Sequence, residues 1–223
     1  MGEYLLEVDG LCKSFGAVQA NSDFNIKVRH GTIHALIGPN GAGKTTALNQ
    51  LSGELIPDSG SIIFNAQAIT GKKPYYRAQK GLARSFQITS IFEDMSVEEN
   101  MALSIIAKSG HNFRFWQPCL STPVVKNELA GALERIGLLE RKTEKAGFLS
   151  HGEKKQLEVG MALSGEPKLL MLDEPMAGMG PGGTVEMSKL IQRLKKETTI
   201  LLVEHDMEVV FALADVITVM VAG

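Results

Sequence analysis

Ile33-His34-Ala35-Leu36-Ile37-Gly38-Pro39-Asn40-Gly41-Ala42-Gly43-Lys44-Thr45-Thr46 is the stretch from which the rest of the chain can be read. The apolar segment Ile33 to Ile37 runs into a loop with three glycines, and Leu48 and Leu51 follow at helical spacing. The pattern G-x-x-x-x-G-K-[ST] therefore lies in the strand, loop and helix context that gives it meaning. Glycines let the backbone close into a concave loop whose N–H groups face phosphate oxygens. The helix that starts there adds its own free N–H groups and a positive dipole end. Lys44 is suited to neutralising β- and γ-phosphates, and the Thr45 hydroxyl to one position on a magnesium ion. The expectation is a nucleoside triphosphate site built from Gly38, Pro39, Asn40, Gly41, Ala42, Gly43, Lys44, Thr45 and Thr46.

The chain around this loop has 223 residues, enough for one large domain or a domain with a smaller one embedded in it. A hydrophobic share of 44% can fill a real core. The net charge of −2 gives no support to a nucleic-acid partner, which usually calls for a basic surplus. Two cysteines, Cys12 and Cys119, are too few for a disulfide framework and read as free thiols of a reducing compartment. The start, MGEYLLEVDG, lacks the pattern of a signal peptide. No run approaches the roughly 18 apolar residues of a membrane span. The expectation is a protein soluble by itself, whose membrane role, if it has one, comes through a partner.

Residues 3–9 and 24–28 alternate as strands, with Leu6 and Val8, then Phe24, Ile26 and Val28, on single faces. Phe15, between them, is either a core ring or a flat surface on which an adenine stacks; an isolated Phe is more often core. Pro57-Asp58-Ser59-Gly60 marks a turn before a short strand, Ser61 to Asn65. Residues 71–80 hold Lys72, Lys73, Arg77 and Lys80 among Tyr75 and Tyr76, and read as a solvated basic face. Gly81 to Gln87 returns to imperfect strand alternation. From about 95 to 148 the period is helical, with Val97, Met101 and Ile105 on one face and Leu129, Leu133, Ile136 and Leu139 on another. The segment His111 to Pro123 between them is irregular and aromatic-rich.

Ser150 and Glu153 form an S-x-x-E capping box at the start of a helix carrying Leu157, Met161 and Leu163. Such a box needs no ligand and stabilises by about 0.5–2 kcal/mol. Leu169 to Leu172 reads as a fully buried parallel strand closing in Asp173-Glu174-Pro175. Adjacent acids at the end of an apolar strand are costly without partners. Asp173 is placed to hold magnesium, and Glu174 to orient a water toward a γ-phosphate. A helix from roughly Thr184 to Lys196 and a strand from Thr199 to Val203 lead to Glu204-His205-Asp206. Ligands of open α/β sheets collect outside the carboxyl ends of the strands. Three strands thus deliver Gly38–Thr46, Asp173 with Glu174, and His205 to one edge.

In this order the residues resemble the ATP-binding subunit of ABC transporters over essentially the whole chain. The resemblance implies an α/β fold: a P-loop NTPase (RecA-like) core with an N-terminal antiparallel β subdomain and an inserted α-helical subdomain. The core would comprise 1–94 and 160–223, and the helical part 95–159. It implies ATP and Mg2+ as cofactors, with Lys44, Glu174 and His205 catalytic, and Thr45, Gln87 and Asp173 on the metal. Phe15 would stack on the base, reversing the reading from the residue alone, and Gln87 would also couple to a membrane subunit. The signature Leu149 to Glu153 would make Ser150, Gly152 and Glu153 contacts of nucleotide. Subunits of this family close head to tail, so these would face ATP on a second ATPase subunit, identical or not.

Further partners implied are transmembrane permease subunits and, indirectly, a solute-binding protein, with the chain peripheral on the inner, cytoplasmic face of the plasma membrane. Phe86-Gln87, Thr89, Ile91-Phe92, Met95-Ser96-Val97, Glu99-Asn100, the Phe-Trp pair near 115 and Leu-Ser-His-Gly-Glu look like importers of branched-chain amino acids. Urea and short-amide importers and lipopolysaccharide-transport ATPases share this plan. Soluble ABC-type ATPases acting on nucleic acid or ribosomes usually carry a second ATPase unit, coiled-coil insertions or a basic arm, none of which is visible. Two positions depart from the family. The signature reads His151-Gly152 where a glycine pair is usual, and the loop after the acids ends in Gly180 where Asp or Asn is common. The family usually continues past Val221-Ala222-Gly223, which implies a sheet edge left unpaired.

Overall fold

The computed structural model describes residues 3–85, 91–109 and 119–223. Strands β1 (Tyr4–Phe15) and β2 (Val18–Arg29) form a long antiparallel hairpin. The alternating positions pair as Leu6 with Val28 and Val8 with Ile26, and the ladder shifts register between Val8 and Leu11. Gly10, at φ 62°, sits in that irregularity, and Gly16, at φ 58°, in the hairpin turn. The hairpin carries Phe15 to its tip, where the side chain is 52% exposed, so Phe15 is no core residue.

Strand β3 (Ile33–Ile37) leads through the glycine loop to helix α1 (Lys44–Ser52). Strands β4 (Ser59–Phe64) and β5 (Gln67–Ala68) follow and complete an antiparallel sheet of order β2-β1-β4-β5. The basic stretch 71–80 is not merely a solvated face. It forms helix α2 (Pro74–Gln79), and Arg77 is 1% exposed. Its Nη1 donates to the carbonyls of Gln50 and Leu51, at 2.8 and 2.7 Å, and its Nε to that of Lys72. The last carbonyls of a helix have no intrahelical donor. Arg77 supplies one to the end of α1, and burial pulls its guanidinium down to about 10.

Strand β6 (Leu82–Arg84) opens the second sheet. It continues with β7 (Leu169–Asp173), β8 (Thr199–Val203), β3 and β9 (Val216–Val219), all parallel, in the order β6-β7-β8-β3-β9. Strands β3, β7 and β8 are buried at every residue, as unbroken apolar runs between covered faces require. Ala47, Leu48 and Leu51 of α1 share one core cluster with Leu6, Val8 and Phe64 of the antiparallel sheet and Leu36, Met171 and Leu201 of the parallel one. Among the described residues β9 is an outer strand, paired with β3.

The residues divide into two compact units. The first holds both sheets (Met1–Arg84, Lys168–Glu174 and Ile191–Gly223), and the second holds Ser85–Pro167 and Pro175–Leu190. In the second, helices α3 (Val97–Ser109), α4 (Pro123–Arg135) and α5 (His151–Leu163) bury Met101, Ile105, Leu133 and Leu157, the periodic positions. Helices α6 (Pro181–Leu194) and α7 (Met207–Leu213) precede β8 and β9 in turn. No helix among the described residues is long and apolar enough to cross a membrane.

Candidate active site

Three neighbouring parallel strands set the geometry. Asp173 of β7 and Leu36 of β3 both lie in register with Val203 of β8, so the chain leaves all three strands within a residue or two of one rung. Beyond that rung come Gly38, Glu174 and His205, and these line a common cavity of about 500 Å³ with Ile37, Pro39, Asn40, Met207 and Val219.

The loop needs its glycines. A Cβ on Gly43, at φ 100°, would lie 2.2 Å from the Ala20 carbonyl oxygen and 2.7 Å from Asn21 Nδ2. Asn21 is fully buried, donates to the Gly43 carbonyl at 3.2 Å and accepts from Gln50 Nε2 at 2.6 Å, fastening the loop to β2 and α1. Gly43 is the N-cap of α1, and no side chain caps that end. The first-turn N–H groups of α1 therefore lack both intrahelical and side-chain partners, a ready anion site. Lys44 is buried and its ammonium donates to the carbonyls of Gly38, at 2.6 Å, and Pro39, at 3.0 Å, which keeps the charge inside the loop. Asn40, Gly41 and Thr45 are exposed, Thr46 is half-buried and Ala42 is buried.

The acids differ from each other. Asp173 is 3% exposed and accepts from Arg84 Nη2 at 2.9 Å. Arg84 also donates to Asn49 Oδ1 at 2.6 Å and Glu54 Oε2 at 3.2 Å, which ties the end of β7 to α1. Glu174 holds φ at 48°, a strained value for a non-glycine residue, fixed by an N–H bond of 2.9 Å to the Val203 carbonyl. Its Oε1 is 3.8 Å from His205 Nδ1, and the buried Glu204 carboxylate is also 3.8 Å from that nitrogen. The cage-forming set of three His, Cys, Asp or Glu is absent among the described residues. Magnesium is usually held by one or two protein oxygens with phosphate and water, and Thr45 and Asp173 are donors of that kind.

A family model described as ABC transporter matches residues 21–177. The chain belongs to the ABC transporter family. High-affinity branched-chain amino acid transport ATP-binding proteins share its full length: LivG of Escherichia coli K12 is 38% identical and BraF of Pseudomonas aeruginosa 36%, each covered over 90%. A crystal structure of the ADP conformation of an ATP-binding cassette of an ABC transporter superposes with a TM-score of 0.88 at 32% identity, covering 100% of this chain and 89% of that one. ABC membership carries ATP binding, and with it ATP hydrolysis, as the family's chemistry.

Among the described residues, the other expected ones do not line this cavity. Gln87 falls outside the described residues. Ser150 and Glu153 form the complete capping box of α5: Glu153 N–H donates to Ser150 Oγ at 3.3 Å, and Ser150 N–H to Glu153 Oε2 at 2.8 Å. Gly152 is the second residue of that helix and is half-buried. Phe15 presents its exposed ring beside Lys13, whose ammonium lies 5.9 Å from the ring centre. Sequence reasoning missed Arg84, Asn21 and Gln50. Arg84 sits three residues before Gln87 and gave no pattern signal; the buried polar pair Asn21 and Gln50 was hidden in ordinary strand and helix segments.

Proposed function

We propose that this chain is the ATP-hydrolysing subunit of an importer of branched-chain or other hydrophobic amino acids. Support comes from full-length likeness to the LivG and BraF proteins and from one observation above all. The phosphate loop, Glu174 and His205 line a single cavity at the carboxyl edge of three adjacent strands.

In this reading the triphosphate lies along Gly38 to Thr46, taking up the free N–H groups at the start of α1. Lys44 exchanges its bonds to the Gly38 and Pro39 carbonyls for phosphate oxygens, so its charge is already at the right depth. Phe15 stacks on the base. Thr45, Asp173 and Gln87 would hold magnesium, which supplies charge neutralisation at the phosphates when bound. Arg84 keeps the Asp173 carboxylate aimed. Glu174 accepts a hydrogen bond from the attacking water, and His205 steadies that carboxylate and the departing charge. Ser150, Gly152 and Glu153 act on nucleotide held by a second ATPase subunit, where the start of α5 offers N–H groups to the γ-phosphate.

ATP binding then favours the closed pair, and hydrolysis reopens it; the coupling is the differential affinity of ATP for the two states. Gln87 and the helical unit carry the change to permease subunits on the inner face of the plasma membrane, which receive solute from a binding protein. Affinity purification of the tagged chain from its own membranes tests this. Two hydrophobic permease subunits and amino-acid-stimulated ATPase are expected; recovery with ribosomes or nucleic acid instead would overturn it.

A further inference from the structure

His151 stands where the family's signature usually has a glycine, and its side chain is engaged. Nε2 lies 3.0 Å from the Ala177 carbonyl oxygen. A carbonyl only accepts, so Nε2 carries a proton and donates. The acceptor belongs to the loop three residues beyond Glu174, and the local backbone there is specific. Met179 N–H donates to the Met176 carbonyl at 3.1 Å, closing a four-residue turn. Gly178 has φ 75°, and Ala177 is not among the residues of positive φ. That combination is a type II turn, which needs a left-handed third residue.

Type I and type II turns differ by a rotation of roughly half a turn of the central peptide, here Ala177–Gly178, with the ends left in place. The Ala177 carbonyl points to opposite sides in the two forms. A bond from His151 Nε2–H to that carbonyl is available to one form alone. The ring also lies against the turn: a Cβ at Gly178 would be 3.4 Å from Nε2. The contact continues past the histidine, since a Cβ at Gly152 would be 3.9 Å from Met179 Sδ, and one at Gly183 3.4 Å from Met179 Cβ. The start of α5 and the loop after the acids are thus packed as one body within the helical unit.

We propose that His151 is a positioning residue: a latch that holds the Ala177–Gly178 peptide in its type II orientation and so fixes the loop following Glu174 to the signature helix. The loop needs such a latch because Gly178 and Gly180 leave it few side-chain anchors of its own, and Gly180 stands where the family often has Asp or Asn. With the latch closed, Ser150, Gly152 and the loop 176–180 meet a second subunit as one surface. This functional consequence rests on the ATPase reading above; the turn geometry does not.

The test compares the full-length protein with His151→Gly, the usual family residue, and His151→Gln, whose Nε2 amide donates at a similar reach. The Gly178 amide resonance reports the orientation of the flipped peptide. It is expected to shift in H151G and to return in H151Q. The kcat for ATP should fall about five- to tenfold in H151G, the scale of one lost hydrogen bond. ATP affinity by direct titration should stay within about twofold, and H151Q should recover most of the rate. An unmoved Gly178 resonance in H151G overturns the latch. A moved resonance with unchanged kcat overturns its role in turnover. Absence of ATPase activity in the unsubstituted protein would instead strike the functional reading, with the resonance still deciding the latch.

Discussion

Glu174 is held in a left-handed backbone conformation that non-glycine residues avoid, directly after a strand buried at every position. Strain of this kind persists only where the surroundings over-determine it. Here the parallel neighbour β8 does so through the Val203 carbonyl. Asp173, one residue earlier, depends on a different device, the buried ion pair with Arg84. Removing one partner of a buried pair strands the other charge and costs about 3–5 kcal/mol. Arg84→Met should therefore lower stability to urea by that order, and Arg84→Met with Asp173→Asn should recover part of it.

His34 ties stability to pH. It is 3% exposed in β3, bonded through Nε2 to Thr218 Oγ1 at 2.8 Å, with Nδ1 buried and unpartnered. Burial lowers its pKa below the ordinary 6.5. The folded state thus binds this proton less readily than the unfolded state. Stability from this group is full above about pH 6.5 and is lost as pH falls toward the lower folded value. The slope is at most about 1.4 kcal/mol per pH unit, and His34→Leu should remove it from urea titrations run between pH 7 and 5.

The starts of helices α1 and α5 contrast. Helix α1 begins at an uncapped left-handed glycine, whereas α5 begins at a closed capping box. The first is open to an anion as it stands; the second is satisfied internally by Ser150 and Glu153. Both were legible, because glycine spacing and S-x-x-E are local rules. The five buried residues of β7 and of β8 were legible too, since unbroken apolar runs have few other uses. What the sequence left dark was polar and non-local. Arg77 reads as one more basic residue among lysines, yet it ends α1 by donating to Gln50 and Leu51. Nothing in residues 71–80 reveals which of four cations will meet those carbonyls. Likewise Phe15 has the composition of a core ring, and only the length of the β1–β2 hairpin puts it outside. Arg77→Met should leave those carbonyls short of a donor, each at about 1–3 kcal/mol. The protein's urea midpoint should fall, while the far weaker loss expected of Lys72→Met serves as the comparison.

Both sheets, with α1, α2 and α7, belong to one compact unit, and α3, α4 and α5 to the other. The loop, the acids and His205 belong to the first, while Ser150 and Gly152 belong to the second. In the function proposed above, Ser150 and Gly152 act on nucleotide held by a second ATPase subunit. With ATP, Glu174→Gln should accumulate as a dimer by light scattering and return to monomer with ADP. In the proposed function this edge of the sheet hydrolyses ATP, with Glu174 orienting the water. Phosphate release by the purified Glu174→Gln protein, measured beside direct ATP titration, tests it most directly. Turnover should fall at least about 100-fold with ATP affinity retained; turnover close to that of the unsubstituted chain would show that Glu174 does not orient the water.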